Sequence, residues 1–286
     1  MAKQLLSLAS FAARILPSPV KRLIYRLGPL AAFIRRNLNR AAPIVRTPVT
    51  IAAGDLAGLR LTLYMQTEKD YWLGTYEPDL QAALRKLARP GMVAYDVGAN
   101  IGYISLLLAQ RLGKTGQVFA FEALPENLTR LDENITQNGF DDRVTIVAAA
   151  VTHVSGPTRF LMHTSGGMGK AVGSSGRLDE TYPAEVAVPG LSLDDFVYQL
   201  GNPAPDLIKM DIEGGEVLAL PGMKRVLAEA RPWLLMELHG PESARAAWDA
   251  LTEAGYTICW MKRGFPQVLS LEELDWKAYL VGRPAG

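Results

Sequence analysis

The chain has 286 residues, 49% of them apolar, a single cysteine and a net charge of +1. That length supports one large core, or a core with a small appendage, while a lone Cys259 excludes an intrachain disulfide and points to a cytoplasmic setting. The charge is lopsided: nine of the 30 basic residues, Lys3 to Arg46, precede Asp55, the first acid, leaving 21 basic against 29 acidic residues, or −8, for the rest, which argues against a nucleic-acid partner.

Residues 1–47 form a basic, amphipathic arm with helical stretches. Its longest uncharged stretch runs only from Gln4 to Ala13, and Pro17, Pro19 and Pro29 interrupt it, so it falls short of the roughly 20 residues of a spanning helix. Charges recurring throughout also argue against a cleaved signal peptide. Two readings stand open: a peripheral anchor in which residues 1–46 lie on an anionic membrane at its inner face, or a helical cap or loose arm.

Residues 48–90 read as a hairpin and a helix that cap the core. Alternation over 48–65 gives the hairpin, with Gly54-Asp55 as its turn. Pro78 then opens a helix carrying Leu80, Leu84 and Leu87, which Arg89-Pro90-Gly91 ends. From 91 to 286 the period switches regularly: strand 92–97, helix 103–112, strand 117–122, helix 125–138 and strand 143–151. After a Gly/Ser-rich pause at about 152–195, read as a hairpin insertion, come strand 206–211, helix 215–230, strand 233–238, helix 241–254, strand 256–261 and a last strand near 277–282. Such alternation implies a parallel sheet with right-handed crossovers.

Two constellations fall at strand ends. Asp96-Val-Gly98-Ala99-Asn100-Ile-Gly102 closes the first strand in a glycine turn, and Glu122 closes the next, a pairing that suits a nucleoside whose ribose hydroxyls donate to a carboxylate. The G-x-x-x-G spacing differs from the G-x-G-x-x-G of a pyrophosphate loop. A nicotinamide-dependent oxidoreductase and a non-catalytic nucleoside-binding module would share the turn and the acid. The second constellation is Lys209-Met-Asp211-Ile-Glu213-Gly214-Gly215-Glu216, followed on the next strand by Glu237-Leu-His239. Period-two alternation puts Lys209 with Asp211, and Glu237 with His239, on one side of their strands, and in a parallel sheet both pairs reach the same crevice.

In this order and spacing, Asp96–Gly102, Phe121-Glu122, Ile208–Gly214 and Glu216, with Trp72–Pro78 upstream, resemble the FkbM family of S-adenosylmethionine-dependent methyltransferases over about residues 70–240. Here Ala123-Leu124 intervenes before Pro125, where a common family form has proline directly after the glutamate. The resemblance implies a class I methyltransferase (Rossmann-like) fold: a mostly parallel seven-stranded sheet with its last strand antiparallel and helices on both faces. It also implies a cofactor without pyrophosphate, S-adenosyl-L-methionine, at Asp96, Gly98, Ala99, Asn100, Gly102, Glu122, Ala123 and Asn127. Asp96 would orient the turn, Gly98 and Gly102 would allow close backbone approach, and Glu122 would accept from both ribose hydroxyls.

The reaction expected is O-methylation of a hydroxyl on a sugar, glycolipid or secondary metabolite, with a small-molecule, glycan or lipid-linked acceptor. Imidazole titrates near working pH, so His239 is the candidate base, with Asp211 or Glu237 orienting it or binding acceptor hydroxyls. Lys209 would steady a developing alkoxide, and Glu213 joins the same acidic group. Set against these roles, His239 would cap the helix at Pro241 and Lys209 would pair with Asp211 or Glu237. Asp211, Glu237 and His239 also suit a divalent metal, a reading placed second because no compact ligand motif accompanies them. Lys170 and Arg177 in the Gly/Ser stretch would touch an anionic group if that stretch is a lid. Tyr71, Trp72 and Tyr76 would stack on a sugar or pack in a core, while His153, His163 and Cys259 read as structural.

Overall fold

The computed structural model describes residues 45–163, 168–176, 180–274 and 277–285, together with 11, 12, 15, 16 and 20. Both readings of the basic arm therefore lie almost wholly outside the described residues, among which no helix is long and apolar enough to cross a membrane. The chain forms two compact units: the smaller takes the described residues up to Pro78 with Thr136–Asn138, and the larger takes Asp79–Ile135 and those from Gly139 onward.

In the smaller unit, β1 (Arg46–Thr50) and β2 (Arg60–Tyr64) pair antiparallel, as the alternation predicts. Residues 51–59 connect them, a longer link than a turn at Gly54-Asp55. Gly54 has a φ of +84° and passes so near Gly74 that a Cβ would sit 2.9 Å from its carbonyl oxygen. The five-residue α1 (Lys69–Leu73) went unforeseen, being too short to display a helical period. Asn138 belongs to this unit because its side chain accepts from the Arg60 N–H at 2.9 Å and donates to the Arg60 carbonyl at 2.7 Å.

The larger unit begins with α2 (Pro78–Leu87), all but its first residue, and buries Leu80, Leu84 and Leu87 as the spacing requires. There follow β3 (Val93–Val97), α3 (Tyr103–Leu112), β4 (Gln117–Glu122), α4 (Pro125–Thr136), β5 (Val144–Ala148) and β6 (Ala150–Val151). The expected strand 143–151 thus breaks at Ala149, and its two halves serve different sheets. After β7 (Gly156–Met162), β8 (Gly169–Ala171) and β9 (Ala184–Leu191) come α5 (Leu193–Tyr198), β10 (Leu207–Met210) and α6 (Glu216–Ala219). The chain closes with β11 (Trp233–His239), α7 (Pro241–Glu253), β12 (Tyr256–Trp260) and β13 (Lys277–Pro284).

The main sheet has the order β12-β13-β11-β10-β3-β4-β5, parallel throughout except for β13, which runs against both of its neighbours. This is the class I arrangement that the motifs imply. Crossovers leave β3 towards β4 and β5 on one side, whereas β10 and β11 lie on the other, so the strand order reverses between β3 and β10 and a crevice opens at their carboxyl ends. The insertion is a sheet of its own, β6-β9-β7-β8, rather than a lone hairpin.

Alternation along the strands separates core from chemistry. Tyr95, Val97, Ile208, Met210, Leu234 and Met236 enter one apolar core, in which Tyr95, Phe119, Phe121 and Phe196 meet with ring centroids 5.0–5.6 Å apart. Asp96, Lys209 and Glu237, the residues between them, take the other side of their strands.

Phe196 comes from α5, a helix the periodicity does not reveal but whose cap is in the sequence: Ser192 Oγ accepts from Asp195 N–H at 3.0 Å. The helix expected over 215–230 is interrupted, with α6 passing into a 3₁₀ turn at Leu220–Gly222 and a π-turn at Val226–Ala230. Pro221 has no N–H to continue the helical ladder. Replacing Phe196 by Ala should lower the unfolding free energy by about 3–5 kcal/mol in urea titrations; a loss under about 1 kcal/mol would mean that the aromatic cluster is not the keystone of this core.

Candidate active site

The glycine turn after β3 is built against the protein itself. Gly98 (φ +79°), Asn100 (φ +51°) and Gly102 (φ +90°) all take left-handed backbone, which asparagine tolerates better than most side chains. A Cβ on Gly98 would strike the Asp211 carbonyl, and one on Gly102 would lie 2.6 Å from Leu131 Cδ1. The N–H groups of Gly98 and Ala99 both donate to the Phe121 carbonyl, at 3.0 and 2.9 Å, which ties the turn to β4.

Beneath this turn Asp96 is completely buried. Ser105 Oγ donates to its Oδ2 at 2.6 Å, and Lys209 Nζ stands 3.3 Å from its Oδ1, an ion pair rather than an aligned hydrogen bond. Lys209 faces Asp96 in the register of β10 on β3 and donates to the Gly98 carbonyl at 2.8 Å. Its ion-pair partner is thus Asp96, across the strand boundary.

Glu122 ends β4 almost fully buried. Its Oε2 accepts from Asn100 N–H at 2.8 Å, while Oε1 accepts from Ala123 and Leu124 N–H at 2.9 and 2.8 Å. Burial pushes its carboxyl up, and these three bonds and one from the Asn127 side chain oppose that rise. Neither the turn, residues 96–104, nor the segment 117–127 contains a lysine or arginine. A carboxylate held between two backbone turns fits the ribose hydroxyls of a nucleoside.

The second half of the crevice centres on His239, at the end of β11 and 1% exposed. Its Nε2 lies 3.3 Å from Glu237 Oε1, 3.4 Å from Glu213 Oε2 and 3.8 Å from Asp211 Oδ1, and its Nδ1 lies 3.4 Å from Glu216 Oε1. Burial alone would disfavour the imidazolium. Hydrogen bonds to Glu216 and Glu237 and the charge of Asp211 outweigh it and lift His239 to about 10. Burial likewise works against the Glu237 anion, but hydrogen bonds from His239 and from Lys277, 2.5 Å away, hold it down at about 2. His239 is therefore a buried cation. Asp211 and Glu213, with side chains 19% and 21% exposed, form the open side of the cluster.

One ligand atom each from Asp211, Glu237 and His239 lies within 4.8 Å of the others, a donor set that suits a divalent cation, although the His239 proton and Lys277 ammonium already balance part of its charge. The insertion reaches the same place. Ser175 N–H donates to the Gly214 carbonyl at 3.0 Å, and Lys170 Nζ donates to the Gly176 carbonyl while lying 4.9 Å over the Tyr182 ring. Arg177 lies outside the described residues.

Of the five residues expected at the acceptor end, the structure brings Asp211, Glu213 and Glu237 around His239 and sets Lys209 behind the turn. The structure adds Ser105, Glu216, Ser243 and Lys277. Glu216 stood inside the quoted motif, whereas Ser243 and Lys277 become neighbours only through α7 and the β11–β13 register, which sets Lys277 opposite His239. His163 pairs with Glu180 at 3.1 Å, His153 is exposed and Cys259 is buried. Tyr71 and Tyr76 pack ring to ring at 4.4 Å within the smaller unit.

A model of the methyltransferase FkbM domain matches residues 96–258. The chain is 26% identical over 184 residues to a hexuronic acid methyltransferase, AglP, of Haloferax volcanii, covering 62% of this chain and 69% of the relative. It is 30% identical over 158 residues to a 2-O-methyltransferase, NoeI, of Sinorhizobium fredii, covering 51% of this chain and 63% of that relative. Among solved structures, a methyltransferase FkbM from Methylobacillus flagellatus aligns at a TM-score of 0.43 and 19% identity over 76% of this chain and 54% of its own.

The buried ion pair gives a direct test. Lys209→Met should lower the unfolding free energy by about 3–5 kcal/mol, because it strands a buried Asp96 carboxylate, and adding Asp96→Asn should restore part of the loss. Equal stability of the single variant and the wild type would dismiss the pair as a structural element.

Proposed function

The chain belongs to the FkbM family of S-adenosylmethionine-dependent methyltransferases, and we propose that it methylates a hydroxyl of a sugar, free or within a glycan or glycolipid. The observation that carries this reading is the two-part crevice. Its nucleoside end is Glu122 with the phosphate-free turn, and its acceptor end is the Asp211–Glu237–His239 group on adjacent strand ends. The names of the two relatives, one acting on a hexuronic acid and one a 2-O-methyltransferase, support a sugar oxygen as the acceptor.

Glu122, Asn100, Ala123 and Asn127 would hold the adenosine side of S-adenosylmethionine, with Gly98, Ala99 and Gly102 forming the turn that faces it. When bound, this cofactor supplies an electrophilic methyl group. The protein then has to align the acceptor oxygen and receive its proton, and alignment alone can contribute roughly 7–11 kcal/mol.

A buried imidazolium has no free lone pair, so we move the base from His239, where residue type alone puts it, to Asp211 on the open side. His239 holds Glu237 anionic and stands 3.8 Å from Asp211 as its ionic partner. Glu213, on the open side, and the remaining oxygen of Glu237 would accept hydrogen bonds from the neighbouring hydroxyls that a sugar offers. Lys209 acts at one remove, by fixing the Gly98 carbonyl.

The experiment is incubation of the full chain with methyl-labelled S-adenosylmethionine and a panel of methyl glycosides of hexuronic acids and neutral hexoses, read by mass spectrometry. Label should appear on a hydroxyl of at least one. Asp211→Asn should lower kcat by about 10²–10⁴-fold while leaving S-adenosylhomocysteine affinity nearly unchanged. Glu122→Ala should weaken that affinity about tenfold or more by calorimetry. Undiminished transfer by Asp211→Asn would remove it as the base, and a chain that binds no S-adenosylmethionine would sink the whole reading.

A further inference from the structure

Of the four carboxylates around His239, one has no part in the chemistry above. Glu216 is wholly buried, whereas Asp211 and Glu213 border the open side. Its Oε1 accepts from Ile212 N–H at 3.3 Å and faces His239 Nδ1 at 3.4 Å, and its Oε2 accepts from Ser243 Oγ at 2.8 Å. Ser243 has a single hydroxyl proton and gives it to Glu216. The 3.1 Å contact between the Ser243 and Ser175 hydroxyls can therefore be a hydrogen bond only with Ser175 donating, and the Gly214 carbonyl, 3.4 Å from Ser175 Oγ, is the second acceptor for that proton. The contacts run from the insertion at Ser175, through Ser243 on α7, to Glu216, which His239 meets from its other side.

The consequence for the histidine is geometric. Rotation about the last side-chain bond of a histidine is broad and roughly two-fold, and a half-turn exchanges each ring nitrogen for a carbon. An acceptor fixed at Nδ1 selects one of the two orientations. With Nδ1 on Glu216, Nε2 comes to lie 3.3–3.8 Å from Glu237, Glu213 and Asp211. The insertion is locked to the same spot by backbone: a Cβ on Gly176 would lie 2.7 Å from the Glu213 carbonyl oxygen and 2.8 Å from His239 Cβ, and one on Gly214 would strike Gly176 N.

We propose that Glu216 is a positioning residue for methyl transfer, holding His239 by Nδ1 so that Nε2 addresses Asp211 and Glu237, and that the Ser175–Ser243 pair couples this orientation to the seating of the insertion. The four-stranded insertion is then a working wall of the acceptor site, and a shift at 174–176 is felt at the histidine. This proposal rests on the crevice being the site of methyl transfer, but its geometry can be tested apart from turnover.

The full chain holds only three histidines, so ring-¹⁵N-labelled protein reports His239 individually. The wild type should give one exchange-protected, downfield Nδ1–H resonance that disappears in His239→Gln and moves upfield in Glu216→Gln, where a neutral amide oxygen replaces the carboxylate acceptor. On whichever glycoside of the panel takes label, Glu216→Gln should lower kcat by about 10–100-fold, the size of effect known for carboxylates that orient metal-bound histidines. Acceptor KM and S-adenosylhomocysteine affinity should stay within a few-fold of wild type. In the His239→Gln background the same substitution should add nothing, because both act through one group. If Glu216→Gln does not fold, Ser243→Ala takes its place and should lower kcat with the same dependence on His239. A protected Nδ1–H that keeps its wild-type shift in Glu216→Gln, or losses that multiply in the double variant, overturns the proposal. Should no glycoside accept label, the resonance alone decides it, while the sugar reading fails separately.

Discussion

The Lys209–Asp96 ion pair is the contact on which the rest of the site depends. It bridges β10 and β3 where the sheet's crossovers part, and its members sit opposite each other in register because both strands alternate in phase. A buried pair is weak evidence for stability in itself, since desolvation offsets much of its attraction. Its value here is one of place. The ammonium also takes the Gly98 carbonyl, and Gly98 then passes close under the Asp211 carbonyl, so one lysine fixes both the cofactor turn and the end of the strand that carries the acceptor-side acid. From the same turn, Asn100 N–H reaches Glu122. Three strand ends are thus held in one geometry by a short series of contacts.

The acceptor half obeys a different constraint. Four carboxylates, Asp211, Glu213, Glu216 and Glu237, surround one imidazolium, with the Lys277 ammonium on Glu237 and Lys170 acting on Glu213. Such a site is costly to bury unless cations and hydrogen bonds are shared closely, which is why a single histidine lies within 3.8 Å of all four acids. That balance favours a cationic cofactor and a hydroxyl about to lose a proton, and it disfavours phosphate, in accord with the absence of basic residues from the glycine turn.

How much of this was legible follows from the range over which each feature is encoded. The β3–α3–β4 unit was read almost to the residue, because the glycine turn and Glu122 are local signals within about 30 residues. Class and strand direction followed from the alternation and from the resemblance. The split of β5 from β6 at Ala149 was not legible, since one apolar run serves two sheets and only pairing with β9 separates them. α6 was overextended because the apolar spacing continues past Pro221. The charge state of His239 was hidden as well: residue type suggests a group that titrates near neutrality, and only the convergence of Glu216, Glu237 and Asp211 from separate elements makes it a cation.

The two halves of the crevice therefore differ in how freely they can change. The cofactor half is tied by backbone N–H groups and a buried pair at the centre of the sheet, where a substitution disturbs packing on several strands. The acceptor half is completed by an inserted sheet, residues 150–191, which meets it through Ser175 and the backbone at Gly176. A wall attached in that way can vary in length and side chains while Asp211, Glu237 and His239 stay on the sheet. On the proposed reading, the insertion would select which hydroxyl is presented, and the strand ends would take its proton. In this chain the Ser175–Ser243–Glu216 contacts join those two properties at the histidine.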